Sequence, residues 1–244
     1  MRLLTSNTKL DKARDLGYLQ AAIVMAPASL SGTNLCIAST ESCRNACVMW
    51  HNGHHNGPTV RNAQLERTRL YLDDREKWQV LIDHDIEQHE KKANRLDLQS
   101  VVRPNGATDV DQSGLAWDHP DTLFMDYTKV VSRMNRLLRD DWPSNYELTY
   151  SWNERSKWQT ATKFLREGIN VAMVFDTPYL PERQPLPTQY FLGGKCWPVI
   201  DGDRHDVRLH EEDGHGVIVG LRFKGSNANR AAGVESGFVR RGAA

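Results

Sequence analysis

The alternation of predicted strands and helices constrains the fold of this chain most. Seven short runs rich in Val, Ile, Leu, Tyr and Phe end in polar or turn residues, which is typical of strands. These runs are Tyr18–Met25, Ser100–Asn105, Leu123–Tyr127, Glu147–Tyr150, Asn170–Phe175, Trp197–Ile200 and Gly216–Leu221. Helices are predicted between several of them, at Thr59–Tyr71, Asp74–Asn94, Thr128–Arg139 and Ser156–Glu167. This order predicts an α/β fold with a parallel sheet.

About seven parallel strands favour a TIM-barrel-like (β/α) barrel, compact or irregular, over an open sheet. An open sheet with its ligand at a switch point stays an alternative, because no G-x-G-x-x-G fingerprint decides the question. A chain of 244 residues can form one large domain or two small ones. We expect a single barrel domain over residues 1–244.

Charge and hydropathy exclude some classes of function. Lys plus Arg equals Asp plus Glu, at 31 each, so the global charge does not favour nucleic-acid binding. The longest apolar run, around Tyr18–Ala28, is too short to span a bilayer, so we expect no membrane association. We see no export signal, and the few cysteines fit a reducing intracellular compartment.

Three of the four cysteines lie close together, in the run CIASTESCRNAC. Cys36, Cys43 and Cys47 form the pattern C-x6-C-x3-C, whereas Cys196 is far away in the sequence. Three thiolates can hold three irons of a cubane 4Fe-4S cluster and leave the fourth iron open. An open iron can bind a small molecule, whereas a cluster ligated by four thiolates mainly carries electrons.

The residues around these cysteines favour a local metal site. If Glu41–Trp50 is helical, Cys43 and Cys47 lie on one face of that helix. Ser39 or Thr40 is the expected N-cap of the helix.

Other uses of the cysteines stay open. His51 continues the same helical stripe, which allows a closed Cys3His zinc site, although the six-residue gap between the first two cysteines fits such sites poorly. The pair His54 and His55 could supply a fourth cluster ligand, but exposed loop histidines are the commoner outcome. Four cysteines are too few for a disulfide-stapled scaffold.

Polar residues follow five of the predicted strands. In a parallel barrel these residues share the carboxyl edge of the sheet, where ligands bind. They include Asn105, Asp126, Tyr127, Thr128, Ser151, Asn153, Glu154, Asp176, Asp203 and Asp206. The candidates for orienting a small anionic or polar ligand, or for tuning the cluster, are Arg103, Asp109, Lys129, Asp201 and Arg208. Hydrogen-bonded anchoring of loops explains some of these residues equally well.

The run DGDRHD has two interpretations. Asp201, Asp203 and Asp206 could bind a hard cation, but the spacing of a calcium loop is absent. A tight turn with Asp–Arg pairing to Arg204 or Arg208 is the favoured reading.

Several segments spread over the chain carry a family resemblance. They are SNTKL, MAPASLSGTNLCIASTESCRNAC, RNAQLERTRLYLDDREKW, VVRPNGATDV, FMDYTK, NYELTYSWNE, GINVAMVF, WPVIDGDRHDVRLHEEDGHGVIVGLRFKG and GFVRR. With these segments the chain resembles a family of bacteriophage-encoded iron–sulfur proteins, many of them uncharacterised gene products.

The resemblance implies a 4Fe-4S cluster held by Cys36, Cys43 and Cys47 on a TIM-barrel-like domain, with the cluster loop and helix at about residues 30–57. It also implies a fourth iron that no cysteine holds, so Cys196 is incidental. The spacing differs from the C-x3-C-x2-C of radical S-adenosylmethionine enzymes, and that chemistry is therefore not carried over.

Three functions follow from these observations. The first is an iron–sulfur protein, in the cytoplasm of the infected host cell, with a small-molecule ligand at the open iron and an electron-transfer partner. It would be an enzyme if the iron serves redox or Lewis-acid chemistry on a substrate. The second is a redox-sensing regulator without turnover. The third, a nucleic-acid-associated protein with a structural zinc site, has weak support from Trp152–Trp158 and the basic stretch Arg222–Arg241.

Overall fold

The computed structural model describes residues 1–8, 10–51, 57–179 and 183–242. The strands are β1 Leu4–Thr5, β2 Tyr18–Ile23, β3 Gln99–Arg103, β4 Leu123–Thr128, β5 Tyr146–Ser151, β6 Val171–Pro178, β7 Gln189–Leu192, β8 Lys195–Asp201, β9 Ile218–Phe223 and β10 Val239–Arg240. The helices are α1 Glu41–Asn45, α2 Val48–His51, α3 Pro58–Asp73, α4 Arg75–Arg95, α5 Ser113–Asp118, α6 Val131–Leu137, α7 Trp158–Arg166, α8 His210–Asp213 and α9 Asn227–Ser236. A 3-10 helix covers Leu10–Leu16.

The strands form one ten-stranded mixed sheet in the order β1-β2-β3-β4-β5-β6-β9-β8-β7, with β10 paired to β6. Strands β2 to β6, β9 and β8 run parallel, which confirms the parallel sheet predicted from the sequence. Strands β1 and β7 pair antiparallel at the two ends. Within the described ranges no pairing joins these ends, so the fold is α/β around an open sheet and closure into a barrel is not seen.

The parallel strands were predictable because they are buried on both faces. All six residues of β2 are buried, and side chains of neighbouring residues point to opposite faces. Val102 and Phe124 belong to the main core, in which the helices pack on the sheet. Val101 and Met125, each one residue away, belong to a second cluster that contains Tyr18, Val207 and Leu209. The sheet therefore has an apolar layer on each side.

Helix α4 forms much of the main core. Trp78, Ile82 and Ile86 are fully buried and recur at helical spacing. Asp74 caps this helix by accepting a hydrogen bond from the Lys77 backbone N–H at 3.0 Å. None of the helices in the part of the chain that the structure describes has the length and apolarity needed to cross a bilayer.

Three strands lay outside the sequence prediction. Strands β1 and β10 have two residues each, too few for a recognisable pattern. Strand β7 forms a hairpin with β8, and both residues of its turn, Gly193 and Gly194, have positive φ, which glycine adopts without strain.

A buried histidine links α4 to β2 and gives the stability of the fold a pH dependence. The Nε2 atom of His89 lies 2.9 Å from the Leu19 carbonyl oxygen, and burial lowers the pKa of His89 below its ordinary value. Below about pH 6.5 the His89 side chain therefore binds a proton in the unfolded chain, whereas in the folded chain it does so only at lower pH. The free energy of unfolding should fall as pH decreases through this range, by at most about 1.4 kcal/mol per pH unit from this group.

Urea unfolding of wild type and His89→Gln between pH 5 and pH 8 measures this contribution. Below about pH 6.5 we expect the unfolding free energy of the wild type to fall relative to that of His89→Gln. Parallel pH profiles for the two proteins would contradict the assignment.

Candidate functional site at the cysteine segment

The three clustered cysteines follow β2, at the carboxyl edge of the parallel strands. Cys36 lies in the loop before α1, Cys43 lies within α1, and Cys47 lies between α1 and α2. All three are half-buried free thiols, whereas Cys196 is exposed on β8.

Cys36 is the most constrained of the three. Its Sγ atom accepts a hydrogen bond from the Ala28 backbone N–H at 3.2 Å and lies 3.5 Å from the Ala107 carbonyl oxygen. Burial raises the pKa of Cys36 to about 11, and negative charge on Cys47 and Cys43 raises it further, while the Ala28 N–H opposes the shift. Negative charge at Cys43 or Cys47 therefore disfavours a thiolate at Cys36, and a bound cation would relieve that repulsion.

The helix that carries Cys43 is shorter than the sequence predicts. Thr40 is its N-cap, as one of the two expected caps, and accepts from the Cys43 N–H at 3.2 Å. The single helix predicted over Glu41–Trp50 is wrong, because α1 ends at Asn45 and α2 begins at Val48. Helices this short depend on tertiary contacts rather than on their own propensity.

Two of the histidines considered as ligands fall outside the described part of the chain. His54 and His55 belong to residues 52–56, and only the backbone of His51 is described. Among the residues described, no group of three or more His, Cys, Asp and Glu side chains is arranged to hold a metal ion.

A carboxylate at the end of β5 fixes the start of α1. Glu154 accepts a hydrogen bond from the Thr40 hydroxyl at 2.7 Å and one from the Ser42 backbone N–H at 3.3 Å. Burial raises the pKa of Glu154, but these hydrogen bonds outweigh it and hold the pKa below its ordinary value. The ionised carboxylate is therefore the form that holds the cysteine helix.

The loop after β3 is hydrogen-bonded to the Cys36 loop and to the end of β2. The Asp109 N–H donates to the Leu35 carbonyl at 2.9 Å, and the Gly106 N–H donates to the Ile23 carbonyl at 2.9 Å. A Cβ atom on Gly106 would lie 2.9 Å from that Ile23 oxygen, so only glycine fits this approach. No role was predicted for Gly106, although an Asn-Gly pair is a turn signal that could have marked this position.

Asp109, a predicted ligand-orienting residue, is a buried anchor. Its carboxylate accepts from Arg133 Nη1 at 2.6 Å, from the Thr128 hydroxyl at 2.8 Å and from the Lys129 N–H at 2.9 Å. Lys129, another candidate, donates from Nζ to the Ser151 hydroxyl at 2.7 Å. Asp109 and Lys129 therefore lie together beside the Cys36 loop. No sequence signal pointed to Arg133, because an arginine on a short helix usually faces solvent.

Asp126 ties the end of β4 to the same loop. It accepts from the Asn105 backbone N–H at 3.0 Å, from the Asn105 side chain at 2.8 Å and from the Tyr146 hydroxyl at 2.6 Å. Burial raises the pKa of Asp126 to about 6, although the positive charge of Arg103 and these hydrogen bonds oppose the shift.

Arg103 and Arg208 lie near Tyr127. The Arg103 guanidinium is 5.0 Å from the centre of the Tyr127 ring and 3.7 Å from Asp126. Arg208 is buried and pairs with Asp213 at 3.0 Å. Burial raises the pKa of Tyr127, and the positive charges of Arg208 and Arg103 oppose that shift. Each of the two arginines is held in an ion pair.

Asp201 belongs to a separate cluster. The Arg222 guanidinium binds it at 2.7 and 3.0 Å and also contacts Asp203 at 3.2 Å. Lys224 pairs with Asp203 at 2.6 Å. The turn with Asp–Arg pairing is present, but the expected partner was wrong: the arginine comes from β9 and not from the turn itself.

The buried Asp109–Arg133 pair should contribute strongly to stability. Asp109→Asn leaves the Arg133 charge buried without its counter-ion, and we expect the free energy of unfolding to fall by about 3 kcal/mol or more. Urea unfolding at pH 7 measures this loss.

The matched control is Glu87→Gln, which breaks the exposed pair of Glu87 with Lys91, 3.6 Å apart. Exposed pairs contribute less than about 1 kcal/mol, so this variant should unfold almost like wild type. Equal losses in the two variants would show that the buried pair does not anchor the loop.

Comparison with known proteins identifies the family. The family model described as Gene product 88 matches residues 1–242. No curated protein and no solved structure matches the chain. The match covers nearly the whole sequence and agrees with the resemblance to bacteriophage gene products. The chain therefore belongs to the gene product 88 family.

Proposed function

We propose that this chain is a bacteriophage iron–sulfur protein that holds a site-differentiated 4Fe-4S cluster on Cys36, Cys43 and Cys47. One iron would stay open to a small molecule or to redox chemistry. The observation that carries this proposal is the grouping of three half-buried thiols on a short segment at the carboxyl edge of the sheet.

The donor chemistry fits an iron–sulfur cluster. Soft thiolates select such clusters, and metal binding requires the thiolate form. Burial raises the pKa of Cys36, so its thiolate needs a positive partner, which a cluster iron would provide. The Ala28 N–H donates to the Cys36 sulfur, and hydrogen bonds of this kind tune the potential of a cluster.

The sequence spacing of the cysteines favours a cluster over a single zinc ion. Closed zinc sites more often use short C-x2-4-C pairs. Cys36 and Cys43 are separated by six residues, which fits such a pair poorly. The C-x6-C-x3-C pattern therefore suits the cubane better.

The strand order supports a relationship to barrels. Strands β2 to β6 lie side by side in chain order and run parallel, as successive strands of a (β/α) barrel do. We infer that the sheet is an open, irregular version of a TIM-barrel-like fold. Barrel ligands bind at the carboxyl edge, where the cysteine segment lies.

The candidate residues divide into two groups under this proposal. The Lys129 backbone is linked to the Cys36 loop through Asp109, and its ammonium group, which donates to Ser151, would attract an anionic ligand to this edge of the sheet. Asp109 keeps the Lys129 backbone and the Cys36 loop in place. We assign Arg103, Asp201 and Arg208, each held in an ion pair, to the support of the sheet edge.

When bound, such a cluster supplies a Lewis-acidic iron and a one-electron redox couple. The partners would be a small molecule at the open iron and an electron-transfer protein, in the cytoplasm of the infected host cell.

Metal analysis of protein made and kept without oxygen tests the proposal. We expect about four irons and four sulfides per chain, because a 4Fe-4S cluster contains that number. Cys36→Ala, Cys43→Ala and Cys47→Ala should each abolish a stable cluster. The matched control, Cys196→Ala, should keep it.

Two results would contradict the assignment. Stoichiometric zinc without iron would replace the cluster by a zinc site. Loss of the cluster in Cys196→Ala alone would show that the ligand set is wrong.

Addition of cyanide to the loaded wild type should change its absorption spectrum, because an open iron accepts such a ligand.

A further inference from the structure

A second site lies next to the cysteine segment, in a cavity of about 540 Å³. Its walls come from the β5–α7 connection and the start of α7, the β7–β8 hairpin, the end of α9 and β10. The volume is within the range of small-molecule sites, about 300–1,000 Å³. The residues that determine its chemistry are Trp152, Lys157, Trp158, Phe191, Glu154 and Arg240.

Two large aromatic side chains in the wall are exposed to solvent. Trp158 is 48% exposed and Phe191 is 62% exposed. The turn residue Gly193 packs on the Trp158 ring so closely that a Cβ atom there would lie 2.7 Å from its Cε3 atom. The hairpin thus fixes one edge of the ring while much of the ring stays accessible. Such a wall can stack on a planar aromatic ring at little entropic cost.

A buried tryptophan supports one of the cations in the wall. Trp152 is 7% exposed, and the Arg240 guanidinium lies 5.3 Å from the centre of its ring. A guanidinium over an aromatic face is attracted by the negative charge of that face. Trp152 therefore helps to hold Arg240 at the cavity.

Positive charge surrounds the cavity. Lys157 and Arg240 line it, and the Arg240 guanidinium is held by a 2.8 Å hydrogen bond from its Nε atom to the Tyr190 hydroxyl. Helix α7 begins at Trp158, and Lys157 at its N-cap provides no side-chain cap. The first N–H groups of a helix favour an anion. The one acidic side chain in the wall, Glu154, already accepts hydrogen bonds from Thr40 and Ser42.

We propose that this cavity binds a nucleotide. The base stacks on Trp158 and Phe191, and the phosphate lies among Lys157, Arg240 and the start of α7. The same chemistry is offered by a free mononucleotide and by one unit of a single strand. The site shares no residue with the three thiols, so it does not depend on the cluster.

Titration of the full-length protein with adenosine 5′-monophosphate tests this proposal, followed by calorimetry and by tryptophan fluorescence. We expect saturable binding to the wild type. Trp158→Ala and Phe191→Ala should each weaken it about tenfold, because each removes one stacking surface. Both side chains are largely exposed, so these variants should fold, and circular dichroism checks this.

The matched control is Trp117→Ala, which removes a tryptophan on α5 that is 61% exposed and lies outside this cavity. Its affinity for the nucleotide should equal that of the wild type.

Arg240→Gln should weaken the binding of adenosine 5′-monophosphate more than that of adenosine, since only the former carries the phosphate.

A deoxyadenosine decamer distinguishes the two sources of the nucleotide. Tighter, strongly salt-dependent binding of the decamer assigns the site to single strands, and equal or weaker binding assigns it to free nucleotides. The proposal is overturned if millimolar nucleotide does not bind, or if Trp158→Ala and Phe191→Ala bind it like wild type. Cys36→Ala protein should bind the nucleotide normally, so loss of the cluster and loss of this site are separate results.

Discussion

The Asp109 carboxylate holds together the edge of the sheet on which the cysteine segment lies. It pairs with Arg133 of α6 and accepts hydrogen bonds from the end of β4. The backbone N–H of the same residue donates to Leu35, directly before Cys36. One residue thus connects a helix, a strand end and the cysteine loop. Because the Asp109–Arg133 pair is buried, loss of either partner would leave a buried charge unpaired. Movement of the cysteine loop would therefore disturb the contacts of Asp109.

The sequence predicted the elements that local patterns specify. The parallel strands are rich in apolar residues, and all six residues of β2 are buried, while the Trp78–Ile86 stripe of α4 recurs at helical spacing, so each was visible in a short window. The hairpin strand β7 was missed because four residues are too few for its alternation of exposed and buried positions to stand out. The break between α1 and α2 was also missed; there the Cys47 N–H bonds the Arg44 carbonyl at 3.2 Å, three residues back, instead of continuing the α-helical pattern.

The polar residues of the site were harder to predict than the strands. Their positions at strand ends were correct, but their partners come from distant segments. Asp201 pairs with Arg222, 21 residues later, and Arg133 reaches Asp109 from a helix that looked like a surface element. The pattern of polar residues at strand ends does not distinguish side chains that orient a ligand from side chains that bond to one another. Closure of the sheet is a similar long-range property, because it depends on whether the end strands meet.

Glu154 connects the two sites that we propose. It lines the aromatic cavity and also holds the first turn of the helix that carries Cys43, through Thr40 and Ser42. A ligand that displaced or strengthened these hydrogen bonds would act directly on the start of α1. Because α1 has only five residues, it depends on tertiary contacts such as these and on the Asn229 side chain, which donates to the Asn45 carbonyl at 3.1 Å. Glu154 therefore belongs both to the wall of the cavity and to the contacts that hold the start of the cysteine helix.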